Sequence, residues 1–198
     1  MARSFSFLYL LSLLFFAFVI LYSYLTDYSY YIFDALFSVI LLTLFFFFRS
    51  SLHLTPLSYF FLALAFAFHN MGAFRFYASP PVPLRWDVVT HIFGIFAASV
   101  ALYHLLRPYF SRKPFAFFFV ILLASLGVGV LIEYVEFIGV LTVGEGEGVL
   151  GRGEGDFAFA QWLSADYYDT MIDQINNLLG ALLGYLFSSF YFRKQRHS

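Results

Sequence analysis

Cysteine is absent from the sequence of 198 residues. Disulfides, thiolate metal sites and cysteine nucleophiles are therefore excluded. Charge is also scarce, because Asp, Glu, Lys and Arg make up 12% of the residues, against about 25% in a typical soluble domain. The formal net charge is −1, which gives no sign of the basic surface that nucleic-acid binding requires. We expect neither a water-soluble fold nor a nucleic-acid partner.

What the chain has instead is apolar side chains: 62% of its residues are hydrophobic and 24% are aromatic. A soluble domain of this size could not bury so many Phe, Leu and Tyr side chains, so the bilayer is the expected solvent. Runs such as "LLTLFFFF" lack the alternation of a membrane β-barrel strand. The sequence therefore predicts an all-α, polytopic membrane protein that forms a single membrane domain over residues 1–198.

Six apolar runs are long enough to be membrane helices, since about 20 residues cross a hydrocarbon core of roughly 30 Å. We expect the first run to be a retained helix, because "LYSYLTDYSYY" offers no small-residue cleavage site. The runs predict one bundle of six transmembrane helices. They cover residues 5–25, 31–48, 56–74, 87–106, 115–138 and 167–192.

The distribution of basic residues predicts the orientation of these spans. Eight of the 11 Lys and Arg residues fall on the side that holds the N-terminus, and three fall on the other side. Both termini are therefore predicted to be cytoplasmic, in a multi-pass plasma or inner membrane protein. The eight are Arg3, Arg49, Arg107, Arg112, Lys113, Arg193, Lys194 and Arg196, and the three are Arg75, Arg85 and Arg152.

The glycine-rich segment "GEGEGVLGRGEGD", residues 144–156, contains a literal G-x-G-x-x-G. It follows no strand of a βαβ unit, and its glutamates would repel phosphate, so we reject a dinucleotide site. We predict an acidic, flexible outer loop.

Ionisable and amide side chains collect near the outer ends of five of the six spans. A charge at a helix centre costs about 2.5–3.5 kcal/mol on insertion scales, so intramembrane residues of this kind default to a functional hypothesis. Four of the aspartates can also be read as interfacial residues that face water: Asp34, Asp87, Asp166 and Asp169. The set is Asp34, His69, Asn70, Asp87, His91, Glu133, Glu136, Asp166, Asp169 and Asp173.

The spacing of these residues places several of them on shared helix faces. Asp87 and His91 are four residues apart, and Glu133 and Glu136 are three apart. Residues 169, 173 and 177 form a stripe of two aspartates and an asparagine that continues into the small-xxx-small motif "GALLG" at 180–184. Such a motif lets another helix approach closely. Gly94 and Gly129 lie next to polar groups on their own helices, so we expect the polar faces to converge where helices pack closest.

The predicted pocket has a surplus of carboxylates, which requires protonation of some of them or a bound cation. Histidine with carboxylates suits Zn or Mn, and more oxygen-rich subsets suit Mg. We predict a divalent metal ion bound by His69, His91, Glu133 and Asp173. Glu136 and Asp169 are the candidate catalytic carboxylates. Asn70, Asp87 and Asn177 are expected to orient the ligands.

Three functions remain open from these residues. The leading hypothesis is a metal- or cation-binding pocket near the extracytoplasmic face, used for hydrolytic or transfer chemistry on a lipid headgroup. The partners would then be membrane lipids and a lipid or small-molecule substrate. The alternatives are a small transporter coupled to protons or cations, and a non-catalytic membrane scaffold.

The ordered motifs "FHNMG", "RWDVVTHIFG", "IEYVEF" and "DYYDTMIDQINNLLGALLG" also carry a resemblance. Over residues 66–186 the chain resembles the YjdF-like family of small prokaryotic inner-membrane proteins. The last motif is also similar to a D-x-x-x-N-x-x-G helix of the VanZ-like family. The resemblance implies a membrane protein and the same choice of polar residues, and it implies no reaction. The acidic loop 144–156 lies outside the family pattern.

Overall fold

The computed structural model describes residues 2–26, 28, 30–110, 113–142 and 165–195. Within these ranges the chain is all-α, which confirms the predicted fold class. The predicted outer loop 144–156 lies outside the described residues, as do Arg112, Arg152 and Arg196. The described ranges contain six α-helices: α1 (Ala2–Leu25), α2 (Tyr30–Phe47), α3 (Pro56–Asn70), α4 (Trp86–Leu106), α5 (Pro114–Thr142) and α6 (Ala165–Gln195).

Among the described residues, four segments are long and apolar enough to cross a membrane: Arg3–Leu25, Pro56–Phe74, Trp86–Tyr109 and Pro114–Ile138. Helix α2 is apolar but has 18 residues, or about 27 Å at 1.5 Å per residue. Helix α6 has 31 residues, but aspartates and asparagines fill its first turns. A six-span topology with cytoplasmic termini therefore stays a prediction.

Proline and a capping residue position the start of α3. Thr55 accepts a hydrogen bond on its hydroxyl from the backbone N–H of Ser58, at 3.2 Å. The Ser58 hydroxyl in turn accepts from the backbone N–H of Thr55, at 2.9 Å. Pro56 follows at the first helical position, where its missing N–H costs nothing. This capping box ties down α3, which carries His69 and Asn70 at its other end.

The helices pack in two groups, α1 to α3 and α4 to α6, and α3 joins them by packing on α4. The core of the first group includes Phe16, Tyr31 and Tyr59, all nearly inaccessible to solvent. Aromatic rings fill the junction between the groups. The ring centroid of Phe61 on α3 lies 5.1 Å from the ring centroid of Phe96 on α4 and 5.4 Å from that of Phe187 on α6.

The glycines of "GALLG" bring α6 against α4. A Cβ on Gly180 would overlap the carbonyl oxygen of Ile92, and one on Gly184 would lie 2.6 Å from the carbonyl oxygen of Phe96. The Ser99 hydroxyl, one turn further along α4, donates to the carbonyl of Ala181 at 3.0 Å. Residue numbers rise together on both helices, so α4 and α6 run parallel. The close approach predicted for this motif is present, and its partner is α4.

The other two glycines singled out from the sequence behave differently. A Cβ on Gly94 would meet nothing within 4 Å, so Gly94 does not mark a close approach. A Cβ on Gly129 of α5 would lie 2.5 Å from the amide nitrogen of Asn177 on α6. Gly129 therefore makes room for a buried polar side chain.

Candidate functional site

Helices α4 and α6 bring two aspartates and a histidine together in the protein interior. Nε2 of His91 lies 3.5 Å from Oδ1 of Asp87 and 3.8 Å from Oδ1 of Asp173. All three residues are buried, and Asp173 is only 2% exposed. Asp87 and His91 face the same way because they are one turn apart on α4. Asp173 meets them because the contact at Gly180, two turns further along α6, holds that helix against α4.

The side chain of Asn177 sets the orientation of the His91 ring. Nδ1 of His91 lies 3.2 Å from Oδ1 of Asn177. An amide oxygen only accepts hydrogen bonds, so Nδ1 is the protonated nitrogen in this arrangement. A neutral ring then presents the lone pair of Nε2 to the two carboxyl groups. Asn177 thus fixes the orientation of the His91 ring, and its role in orienting a metal ligand stays a prediction.

A carboxylate oxygen of Asp87 and one of Asp173 lie within 4.8 Å of each other. Two buried carboxylates this close repel each other, so either one of them keeps a proton or a cation balances both charges. The Arg85 guanidinium interacts electrostatically with Asp173, and the Asn176 amide approaches Oδ1 of Asp173 at 3.5 Å.

A second group forms around the same histidine. His91, Glu133 and Glu136 each offer a ligand atom, and these atoms lie within 4.8 Å of one another; the same holds for Asp87, His91 and Asp173. The two glutamates lie on α5 and are half-buried. His91 is therefore shared by carboxylates from three helices. We call these five residues the α4–α5–α6 cluster: Asp87, His91, Glu133, Glu136 and Asp173.

The geometry of the buried trio suits a single metal ion. Two atoms bound to one tetrahedral ion by bonds of about 2.1 Å lie about 3.4 Å apart. The observed separations of 3.5 and 3.8 Å between Nε2 and the two carboxylate oxygens are close to that value. One histidine nitrogen and several carboxylate oxygens form a donor set that accommodates Zn²⁺ or Mn²⁺.

His69, which was predicted to be a metal ligand, lies outside both candidate groups. Its Nε2 is 3.3 Å from Oδ2 of Asp34, and its Nδ1 is 3.2 Å from the Tyr77 hydroxyl. Both ring nitrogens are thus engaged, and neither of the two candidate groups includes His69. Asp34, which could also be read as an interfacial residue, is 4% exposed and paired with this histidine.

The remaining residues predicted from the sequence are Asn70, Asp166 and Asp169. Asn70 is fully buried, but its amide donates to the Ser38 hydroxyl at 3.0 Å and to the Phe66 carbonyl, so it fastens α3 to α2. Asp169, one turn before Asp173, is half-buried and belongs to neither group. The side chain of Asp166 lies outside the described part of the structure. Tyr77, which contacts His69, was not predicted, because nothing in the sequence distinguishes it from the other 14 tyrosines.

Comparisons with known proteins place the chain in a family. The comparisons with curated proteins and with solved structures find no match. The resemblance to the YjdF-like family is consistent with the family whose model matches the chain, which is given next. The similarity to the VanZ-like family stays a prediction. The model of the family described as "Predicted membrane protein (DUF2238)" matches residues 7–194, and this chain belongs to that family.

Proposed function

We propose that the chain binds a divalent cation, Zn²⁺ or Mn²⁺, between α4 and α6. The observation that carries the proposal is the position of His91, whose Nε2 faces Asp87 and Asp173 while its Nδ1 is held by Asn177. The ligands are Asp87, His91 and Asp173, with Glu133 close by on α5. Mg²⁺ is the weaker choice, because it prefers an all-oxygen octahedral shell that keeps several waters.

Charge balance supports the same proposal. The cluster holds four carboxyl groups and one neutral imidazole, and the Arg85 guanidinium is a basic group that acts electrostatically on Asp173. A divalent cation would neutralise two carboxylates in a setting of low dielectric, where an unbalanced charge is costly.

The chemistry that such a site supports is hydrolysis of, or transfer to, a lipid headgroup. A divalent cation supplies Lewis-acid polarisation of a substrate oxygen. Glu136, in the second group, is placed to take a proton from an attacking water or hydroxyl. In the predicted topology the cluster lies near the outer ends of its helices, which is the depth of outer-leaflet headgroups. We therefore propose a lipid or lipid-linked headgroup as the substrate class.

Metal analysis of the purified protein tests the site. The protein is purified without a histidine tag, loaded with Zn²⁺ or Mn²⁺, desalted, and analysed by elemental mass spectrometry. We expect about one tightly held ion per chain, with nearly complete loss in His91→Ala and Asp173→Asn. His104→Ala is the matched control, because His104 is a buried histidine on the same helix that belongs to neither group. Equal metal content in all four proteins, or none in the wild type, would refute the proposal.

The second candidate is a transporter coupled to protons. The observation in its favour is that the Asp87 and Asp173 carboxyl groups lie within 4.8 Å of each other, since protonation of one of them also relieves their repulsion without a metal. Flux into proteoliposomes separates the two functions. A proton flux that Glu133→Gln abolishes, in protein that binds no metal, favours the transporter.

A further inference from the structure

The two glutamates on α5 form a group of their own within the α4–α5–α6 cluster. Ligand atoms of His91, Glu133 and Glu136 lie within 4.8 Å of one another, and those of Asp87, His91 and Asp173 form the other group. Among the described residues, His91 is the only member of both groups. The cluster therefore consists of an aspartate pair and a glutamate pair that share one histidine.

A single ion does not account for both pairs. Two donor atoms bound to one ion by bonds of about 2.1 Å are at most about 4.2 Å apart, on opposite sides of that ion. Both groups contain ligand atoms within 4.8 Å of one another, yet neither group combines an aspartate with a glutamate. An ion bound by the aspartates therefore leaves the glutamates outside its coordination shell.

Charge balance also favours a second ion. Each group contains two carboxyl groups, so the cluster carries up to four negative charges. One divalent cation balances two of them, and the Arg85 guanidinium acts on Asp173, which belongs to the aspartate pair. Two divalent cations would balance all four carboxylates. Because an unbalanced charge is costly in a low dielectric, the second cation belongs with the glutamates.

The glutamate pair differs from the aspartate pair in burial and in the donors available. Both aspartates are buried, whereas both glutamates are half-buried. Nε2 of His91 faces the aspartates and its Nδ1 is engaged by Asn177, so the ring has no nitrogen left for an ion on the glutamates. Such an ion would have oxygen ligands only, from two carboxylates and from waters or a substrate. Mg²⁺ and Mn²⁺ are the divalent ions that suit this shell.

Two buried amide groups on α6 face the same side of the cluster. The amide nitrogen of Asn177 has no hydrogen-bond partner among the described residues. It lies against Gly129 of α5, one turn from Glu133, because a Cβ on Gly129 would be 2.5 Å from it. The amide nitrogen of Gln174 is also buried without a partner in the described part of the chain. Gln174 lies three turns before Tyr185, whose ring packs on α5, so Gln174 also faces α5.

These two amides point to an oxygen ligand beside the glutamates. Buried polar groups in folded proteins are almost always hydrogen-bonded, so a buried N–H without a partner calls for a ligand or a water. An amide nitrogen only donates, and its partner must therefore be an acceptor. An oxygen of a water or a phosphate is an acceptor of this kind, and both are common ligands of Mg²⁺.

We propose that Glu133 and Glu136 hold a second divalent cation, Mg²⁺ or Mn²⁺, beside the ion proposed for the aspartates. Its remaining positions take waters and an oxygen of a phosphate-bearing headgroup, and the amides of Asn177 and Gln174 donate to these oxygens. Two ions about 3.5–4 Å apart form the clamp that enzymes use on phosphate groups. Glu136 has two carboxylate oxygens, so it binds the ion through one and keeps the other for the proton of an attacking water.

The second site rests on the proposed function, because it lies beside the first ion, but the two ions are measured separately. Protein purified without a histidine tag is loaded with Zn²⁺, desalted and titrated with Mn²⁺. Elemental analysis gives the Zn²⁺ content, and the electron paramagnetic resonance signal of free Mn²⁺ gives the amount of Mn²⁺ bound. We expect one Zn²⁺ per chain that survives desalting and one exchangeable Mn²⁺, which excess Mg²⁺ displaces.

Variants of Glu133 test where the exchangeable ion binds. Glu133→Gln and Glu133→Ala should lose the Mn²⁺ and keep the Zn²⁺, which also shows that they are folded around α4 and α6. Asp169→Asn is the matched control and should keep both ions, because Asp169 is a half-buried acid that belongs to neither group. In wild type loaded with Mn²⁺ alone, two neighbouring ions couple magnetically. Glu133→Gln should instead show the spectrum of an isolated Mn²⁺.

Phosphorus NMR tests the substrate class, because bound Mn²⁺ broadens the signal of a phosphate that contacts it. The probes are inorganic phosphate and dihexanoyl phosphatidylglycerol, each added to protein that holds Zn²⁺ and Mn²⁺. The lipid signal should broaden with the wild type and stay sharp with Glu133→Gln. Gln174→Met should reduce the broadening without loss of Mn²⁺. Broadening of inorganic phosphate alone would overturn the headgroup as the ligand.

The outcomes separate the second site from the first. One Zn²⁺ with no exchangeable Mn²⁺, or a Mn²⁺ that remains in Glu133→Gln, overturns the second site and leaves the first standing. Two Mn²⁺ ions without magnetic coupling place the second ion elsewhere and overturn it as well. A Mn²⁺ that is lost in Glu133→Gln, in protein that holds no Zn²⁺, overturns the proposed function and supports the glutamate site.

Discussion

Nδ1 of His91 on α4 lies 3.2 Å from Oδ1 of Asn177 on α6, although 86 residues separate them in the chain. This contact decides which ring nitrogen carries the proton, and hence which nitrogen is available to the two aspartates. Asn177 is fully buried, and its amide nitrogen has no hydrogen-bond partner among the described residues. The buried position of Asn177 is therefore better explained by its contact with the His91 ring than by helix packing alone.

Asn177→Ala should weaken metal binding about 10- to 100-fold, the usual effect of removing a group that orients a ligand. The ring of His91 loses its fixed tautomer, but all proposed ligands remain. Titration calorimetry with Zn²⁺ or Mn²⁺ measures the change. Asn70→Ala is the matched control, since Asn70 is equally buried but bonds to Ser38 and Phe66. Equal losses of affinity in both variants would contradict the role given to Asn177.

Gly180→Ala should destabilise the protein by about 1–3 kcal/mol, the range for overpacking a close contact. The added methyl group meets the backbone of Ile92, which cannot rotate away. Gly94→Ala should instead be neutral or stabilising by up to about 1 kcal/mol, because its Cβ meets nothing and alanine is the better helix former. Thermal unfolding in one detergent compares the two variants. A larger loss in Gly94→Ala would refute the packing described.

Tyr77 should make stability depend on pH in the alkaline range. Burial, and then the charge of Asp87, raise its pKa in the folded state above the ordinary value of 10.0. The folded state therefore keeps this proton when the unfolded state loses it. Stability from Tyr77 is fully present below about pH 10 and falls as the pH rises from there towards the folded-state pKa.

The test is the unfolding temperature of the wild type and of Tyr77→Phe between neutral and alkaline pH. The variant should lose less of its stability above about pH 10 than the wild type does. Tyr24→Phe provides the baseline for an exposed tyrosine. Parallel curves for the wild type and Tyr77→Phe would show that the phenol is not buried in the folded protein.

Glu136→Gln should separate metal binding from turnover. Glu136 is proposed as the base, so its amide should leave most of the bound metal in place and abolish hydrolysis or transfer of a headgroup substrate. Asp169→Asn should change neither, because Asp169 belongs to neither group around His91. A fluorescent phospholipid or lipid-linked phosphate serves as the probe substrate. Loss of activity in Asp169→Asn alone would instead restore the role predicted for it from the sequence.

The fold followed from the sequence more completely than the site did. Six helices were predictable because long apolar runs leave no other element that satisfies the backbone in a bilayer. Asp87, His91 and Asp173 were predictable as neighbours because i, i+4 spacing sets a face and "GALLG" indicates close packing. The partner of His69 was not predictable, because α3 is apolar on every side. No periodicity shows which of its faces meets α2.

Tyr77 could not have been found from sequence, since it lies in a loop among many aromatic residues. Its position depends on Arg75, which adopts a left-handed conformation with φ of 65° just after the 3₁₀ turn Met71–Phe74. An arginine does not predict a left-handed conformation, because that region favours glycine and asparagine. The left-handed residue occurs there without a sequence signal, and the contact of Tyr77 with His69 follows it in the chain.

The backbone contact at Gly180 is also a pivot. Asp173 lies seven residues before it, or about 10 Å along α6 at 1.5 Å per residue. A change of about 5° in the tilt of α6 around that point would move the Asp173 carboxyl by about 1 Å relative to His91. Membrane helices adjust their tilt to the thickness of the surrounding bilayer. The proposed affinity of the cluster for a cation should therefore vary with lipid chain length. Membrane thickness would then regulate this site.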